Sequence, residues 1–121
     1  MPIEIEIDHT KRIVIAKTRG VIRLQDMLDY FDALAAAGTM PYAKLFDARE
    51  LDSQLSEDDM QALGARVRAN AAFDPRGAIA AVATAPAARA AIERFRALGG
   101  ARRPVELFAT MEGAGAWLAS R

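Results

Sequence analysis

The chain has 121 residues, room for one domain, and 52% of them are hydrophobic, enough for a single core without staples. It contains no cysteine, which excludes a disulfide framework, a thiol nucleophile and a thiolate metal site, and fits a reducing compartment. Sixteen basic and sixteen acidic residues cancel, so no global charge draws the chain to nucleic acid or to an anionic membrane.

Ile3, Ile5 and Ile7 alternate with Glu4, Glu6 and Asp8, the period of a strand with one wet face. Asp8-His9-Thr10-Lys11 reads as a turn and Ile13-Val14-Ile15-Ala16 as the returning strand, so these two should pair antiparallel. From Leu24 the period becomes helical. Leu24, Met27, Leu28, Phe31, Leu34 and Ala35 share one side, Asp26, Asp29 and Asp32 the other, and Gly38 is the expected stop. Ala43-Lys44-Leu45-Phe46-Asp47-Ala48 is a third strand.

Ser56 is a good N-cap for the next helix, and Glu57, Asp58 and Asp59 suit the positive end of its dipole. Met60, Leu63, Gly64 and Val67 form its inner stripe. Residues 78–83 are an alanine-rich fourth strand. Pro86 opens a third helix, with Ala88, Ile92 and Phe95 inward, that Gly99-Gly100 ends. Residues 105–109 make a fifth strand, and residues 112–119 a closing helix with Trp117 and Leu118.

The order ββαβαβαβα implies parallel neighbours joined by right-handed crossovers after the initial hairpin. The expected fold is a single α/β domain over 1–121, a five-stranded mixed sheet with one antiparallel edge strand and four helices. Lys44 and Glu106 interrupt strands that should be apolar if both faces were covered. Either one face of the sheet is only partly covered, or these residues sit at strand ends.

No apolar run approaches the roughly 18 residues of a membrane span, and Met1-Pro2-Ile3-Glu4 lacks the basic start of a signal peptide. A cytoplasmic protein without stable membrane insertion is expected. Charge is unevenly placed: residues 1–59 carry 7 basic and 12 acidic side chains, residues 60–121 carry 9 and 4. Arg66, Arg68, Arg76, Arg89, Arg94, Arg96, Arg102 and Arg103 make up most of the positive half. This describes either ordinary solvated helix faces or a dipolar molecule suited to partners, including a second copy in a homodimer.

Gly20-Val21-Ile22-Arg23-Leu24-Gln25-Asp26, Leu45-Phe46-Asp47-Ala48-Arg49 and Ala114-Gly115-Ala116-Trp117-Leu118, with the hairpin, resemble SpoIIAA-like proteins over nearly the whole chain. These are relatives of the STAS domains of anti-sigma factor antagonists and of lipid-carrying Sec14-type domains. The antagonist branch implies a phosphorylated serine in a D-S-S-G-type segment after the third strand. Here that stretch reads Asp52-Ser53-Gln54-Leu55-Ser56-Glu57-Asp58, without the second serine and the glycine. Ser53 and Ser56 are the candidate phosphorylation sites. The other branch implies a carrier of an apolar ligand such as a lipid.

The residues themselves show little catalytic machinery. His9 is the only histidine and lies in a turn, so no multi-histidine metal cluster or relay can be built. Asp47, Glu50, Asp52, Glu57, Asp58 and Asp59 are oxygen donors of the kind a hard cation takes, but the spacing of a calcium loop is absent and the helix dipole explains the last three. Asp47 ends a central strand, where open α/β sheets place ligands, and a carboxylate there can equally be a cap or an ion pair with Arg49. Neither Gly99-Gly100 nor Gly113-Ala114-Gly115 has the order of a phosphate loop. Trp117 reads as core.

These readings leave a non-enzymatic regulatory or protein-interaction module, or a carrier or sensor of a small apolar ligand, with no cofactor or metal. The candidate ligand or partner surface is Met27, Phe31, Asp47, Arg49 and Met60. If a pocket exists between the sheet and the first two helices, it should be apolar, a few hundred cubic ångströms in volume, with Asp47 or Arg49 at its mouth.

Overall fold

The computed structural model of the chain describes residues 2–53, 55–71, 77–99 and 104–121. Five strands form one sheet in the order β1-β2-β3-β4-β5: β1 Ile3–Asp8, β2 Ile13–Ile22, β3 Ala43–Ser53, β4 Ile79–Val82 and β5 Val105–Phe108. The helices are α1 Leu24–Ala36, α2 Glu57–Ala71, α3 Pro86–Gly99 and α4 Met111–Ala119. β1 runs antiparallel to β2, and every other pair is parallel. The sheet is therefore mixed, with β1 as its antiparallel edge, as the hairpin and the three strand–helix units predict. Among the described residues no helix is long and apolar enough to cross a membrane.

Two strands run further than their apolar cores. β2 continues past Ala16 to Ile22, and β3 past Ala48 to Ser53, with Arg19–Ile22 pairing Glu50–Ser53. The sequence hides this extension because Lys17-Thr18-Arg19-Gly20 breaks the alternation. The register shifts between Lys17 and Arg19, and Gly20 takes φ +69°. Thr18 is fully buried there, and its hydroxyl donates to the Asp47 carbonyl at 3.1 Å. Ser53 is consequently the last residue of a strand rather than a loop residue.

The strand period sorts side chains onto two faces. Val14, Ala16, Lys44, Phe46, Ile79, Ala81 and Val105 face α1, α2 and α3; Ile13, Ile15, Leu45, Asp47, Ala80 and Val82 face the side that α4 covers. On the first side Met27, Tyr30, Phe31 and Leu34 of α1 and Met60, Leu63 and Val67 of α2 enter the main core. Burying side chains such as Leu34 and Leu63 contributes about 1.5–3 kcal/mol each. α1 ends where Gly38 takes φ +71°. α4 is capped by Thr110, whose hydroxyl accepts from the Gly113 N–H at 3.0 Å.

The acidic first half and basic second half meet as ion pairs between helices. Arg66 of α2 pairs with Asp32 of α1, and Arg94 of α3 with Glu57 of α2. Arg76, Arg102, Arg103 and Gly100 lie outside the described residues.

Candidate functional site

Between the sheet and α1, α2 and α3 lies a cavity of about 100 Å³. α1 contributes Met27, Tyr30, Phe31 and Leu34 to its wall; α2 contributes Met60, Leu63 and Val67; α3 contributes Ala91, Ile92 and Phe95. The floor is Lys44, Phe46, Ile79, Ala81 and Val105 of the sheet. The hollow exists because long side chains on the helices stand over a short one, Ala81, on the strand below. Met27, Phe31 and Met60 are thus brought together around one space. It is smaller than a pocket of a few hundred cubic ångströms.

Asp47 and Arg49 are not among the cavity's lining residues. Asp47 lies on the α4 face, in register with Lys17 and Val82. It is only 3% exposed. Arg49 encloses its carboxylate, donating from Nε at 2.9 Å, Nη2 at 2.8 Å and its backbone N–H at 3.1 Å. The side-chain hydrogen bonds from Arg49 hold the Asp47 carboxyl below its ordinary pKa, against the opposing effect of burial. The pair is closed on itself.

The polar side chains of the lining are Tyr30 and Lys44. Lys44 is 3% exposed, and its ammonium donates to the Met40 carbonyl. The sequence marked Lys44 as an interruption of β3, and the structure places it second in that strand, on the covered face. Glu106 is second in β5 and on the other face, half-buried, 3.8 Å from Arg96. A lysine stem long enough to cross apolar surface and end at a carbonyl explains why an inward position tolerates a charge. That side chain is the feature of the cavity that strand periodicity alone does not reveal.

Where β3 gives way to α2, the chain presents a polar surface. Ser56 is exposed and caps α2: its hydroxyl accepts from the Asp59 N–H at 3.1 Å, and the Asp59 carboxylate accepts from the Ser56 N–H at 3.1 Å. Arg49, Glu50 and Asp52 of β3 and Glu57 and Asp58 of α2 are exposed as well. Gln54 lies outside the described residues.

On the opposite face, the single helix α4 leaves an open hollow of about 520 Å³ bounded by Glu6, Asp8, Lys11, Ile13, Ile15 and Leu118. Trp117 packs on Phe108 at 5.7 Å between ring centres, with the Arg121 guanidinium 4.7 Å over its ring. His9 is exposed, with Nδ1 2.9 Å from the Tyr42 hydroxyl. Among the described residues no three acidic or histidine side chains are grouped to hold a metal ion.

No protein-family model matches the sequence, and no curated protein does. Solved structures do match. An uncharacterized protein of the DUF3478 family with a SpoIIAA-like fold, from Shewanella loihica PV-4, is similar at TM-score 0.63 and 20% identity, over 96% of this chain and 91% of that one. The anti-sigma factor antagonist SpoIIAA in its unphosphorylated form is similar at TM-score 0.63 and 14% identity, over 98% of this chain and 99% of that one. The chain therefore has a SpoIIAA-like α/β fold, the architecture its hairpin and βα units predict.

Proposed function

We propose that this chain is a non-enzymatic regulatory or protein-interaction module of the STAS type, which meets a protein partner with the end of β3 and the start of α2. The observation that carries the reading is the set of exposed charged residues Arg49, Glu50, Asp52, Glu57 and Asp58, on a fold shared with an anti-sigma factor antagonist. Ser53 and Ser56 are its candidate modification sites. A phosphate brings about −1.5 to −2 charge at neutral pH. On Ser56 it occupies the oxygen that caps α2, beside Glu57, Asp58 and Asp59. On Ser53, at the end of β3, it meets fewer adjacent acids.

Affinity capture from the protein's own cells, with the wild type and Asp58→Arg in parallel and mass mapping of the bait, tests this. The expected result is a protein captured by the wild type and lost with the reversed charge. Identical captures with both, or none with either, count against the surface.

A second reading, a carrier or sensor of a small apolar ligand, is favoured by one observation: an apolar cavity lined by three helices and the sheet.

A further inference from the structure

Close packing leaves few voids in a protein interior, so what lines a void decides what fits it. Tyr30 and Phe31 of α1, Phe46 of β3 and Phe95 of α3 place aromatic rings on this cavity's wall. Tyr30 packs on Phe31 with ring centres 5.5 Å apart, tilted by 43°, and on Phe46 at 5.9 Å, near edge to face at 64°. Rings prefer such tilted and edge-to-face neighbours because their faces are negative and their edges positive. Met27, Met40 and Met60 add thioethers, which also make favourable contacts with rings.

We propose that the ligand of this cavity is a small neutral molecule built on a single aromatic ring. This rests on the apolar-ligand reading above and narrows it. The size argument comes from the volume: an engineered cavity of about 150 Å³ takes a benzene ring. The 100 Å³ found here is somewhat smaller, and rotation of the flexible methionines makes up the difference for one ring. A long acyl chain exceeds it.

The charge argument comes from the polar side chains of the wall. Lys44 is already engaged: its ammonium donates to the Met40 carbonyl, and a Cβ at Gly77 would stand 2.8 Å from it. Neither Lys44 nor Tyr30 is free to meet an incoming charge. A carboxylate entering this space gives up its water without compensation, which a neutral ring does not have to do. The ring in turn gains aromatic partners that a saturated hydrocarbon of the same carbon count does not.

The experiment is calorimetric titration of the full chain with toluene, methylcyclohexane, benzoate and decanol. Toluene is expected to bind saturably. Methylcyclohexane keeps the carbon skeleton without the aromatic electrons. Referred to each probe's own water-to-alkane partition, it should bind about threefold more weakly than toluene or worse, the scale of one aromatic pair. Benzoate should bind at least about tenfold more weakly than toluene, and decanol should not bind. Ala81→Val fills part of the space and should weaken toluene by about tenfold or more. Should that variant fail to fold, the comparison of probes on the wild type carries the test alone. Methylcyclohexane, benzoate or decanol matching toluene overturns the aromatic ligand and leaves the apolar-ligand reading standing. Toluene binding unchanged in Ala81→Val places the ring outside the cavity and overturns the proposal too. Binding of none of the probes removes both readings.

Discussion

Among the described residues each face of the sheet buries one charged side chain, and both come from β3. Lys44 and Asp47 are each 3% exposed, three residues apart and on opposite faces. Asp47 is satisfied by its neighbour two residues on, with three donors from Arg49 at 2.8–3.1 Å. That arrangement is local and complete, and it belongs to the face that α4 covers. Lys44 reaches the Met40 carbonyl, across the α1–β3 connection, on the side where the helices leave unfilled space. A buried charge closed by an adjacent residue is a structural device. A charge held by a carbonyl four residues away, at the wall of a cavity, depends instead on how the surrounding elements pack.

Packing is the first way to break this comparison, and it carries the largest expected effect. Ala80 and Ala81 are adjacent in β4, 0% and 3% exposed, and point to opposite faces. Ala81 lines the cavity; Ala80 belongs to the cluster under α4. Valine suits a strand at either position. At Ala80 it overpacks a filled core and should cost about 1–3 kcal/mol. At Ala81 its methyl groups enter empty space, where each added carbon contributes up to about 0.8 kcal/mol, so Ala81→Val should be neutral or stabilising. Urea denaturation of both variants decides it. Equal losses would mean that the two faces are packed alike and that the cavity is closed in solution.

Much of the fold was legible because its signals are local. The alternation of Ile3, Ile5 and Ile7, the helical spacing of Met27, Phe31 and Leu34, and the caps at Gly38 and Ser56 each depend on a few neighbours, and the architecture follows from their order. The extensions of β2 and β3 were hidden, since a register shift and Gly20 at positive φ interrupt the alternation that marks a strand. The Asp47–Arg49 pair was readable as one of three alternatives, beside a ligand group and a cap, because its partners are two residues apart. The cavity was half readable: Met27, Phe31 and Met60 share the inward faces of their helices, but whether large residues over alanine close up or leave a gap depends on three-dimensional fit. Lys44 reads from the sequence either as a sign of incomplete cover or as a strand-end residue, and the structure places it second in β3. Its stem and ammonium behave differently, and only tertiary structure shows the second reaching Met40.

Helix capping sharpens the contrast at a smaller scale. Ser56 caps α2 on the cavity side, and Thr110 caps α4 on the other. Replacing either by alanine should cost about 1 kcal/mol. The two losses should differ in place. Leu55 and Met60, on either side of the α2 start, line the cavity, so Ser56→Ala should raise amide exchange along its wall. Thr110→Ala should leave that wall unchanged. Exchange that rises equally around the cavity in both variants would show that the two faces are not independent.

The smallest expected effect concerns acid. Asp47 has its pKa lowered in the folded protein, chiefly by the side-chain hydrogen bonds from Arg49. A carboxyl with a lowered folded pKa adds stability that is fully present above its unfolded value of about 3.9 and is lost as pH falls toward the folded value. Asp47→Asn keeps the shape and one acceptor but removes that charge. The wild type should therefore exceed Asp47→Asn in stability at about pH 6, and the gap should narrow as pH drops below about 4. Arg49 is half exposed, and solvent screens its side of the pair, so the gap should be modest even at neutral pH. A flat Asp47→Asn difference would mean that Arg49 does not hold the carboxylate as drawn, and the claim that this pair is closed on itself would fall with it.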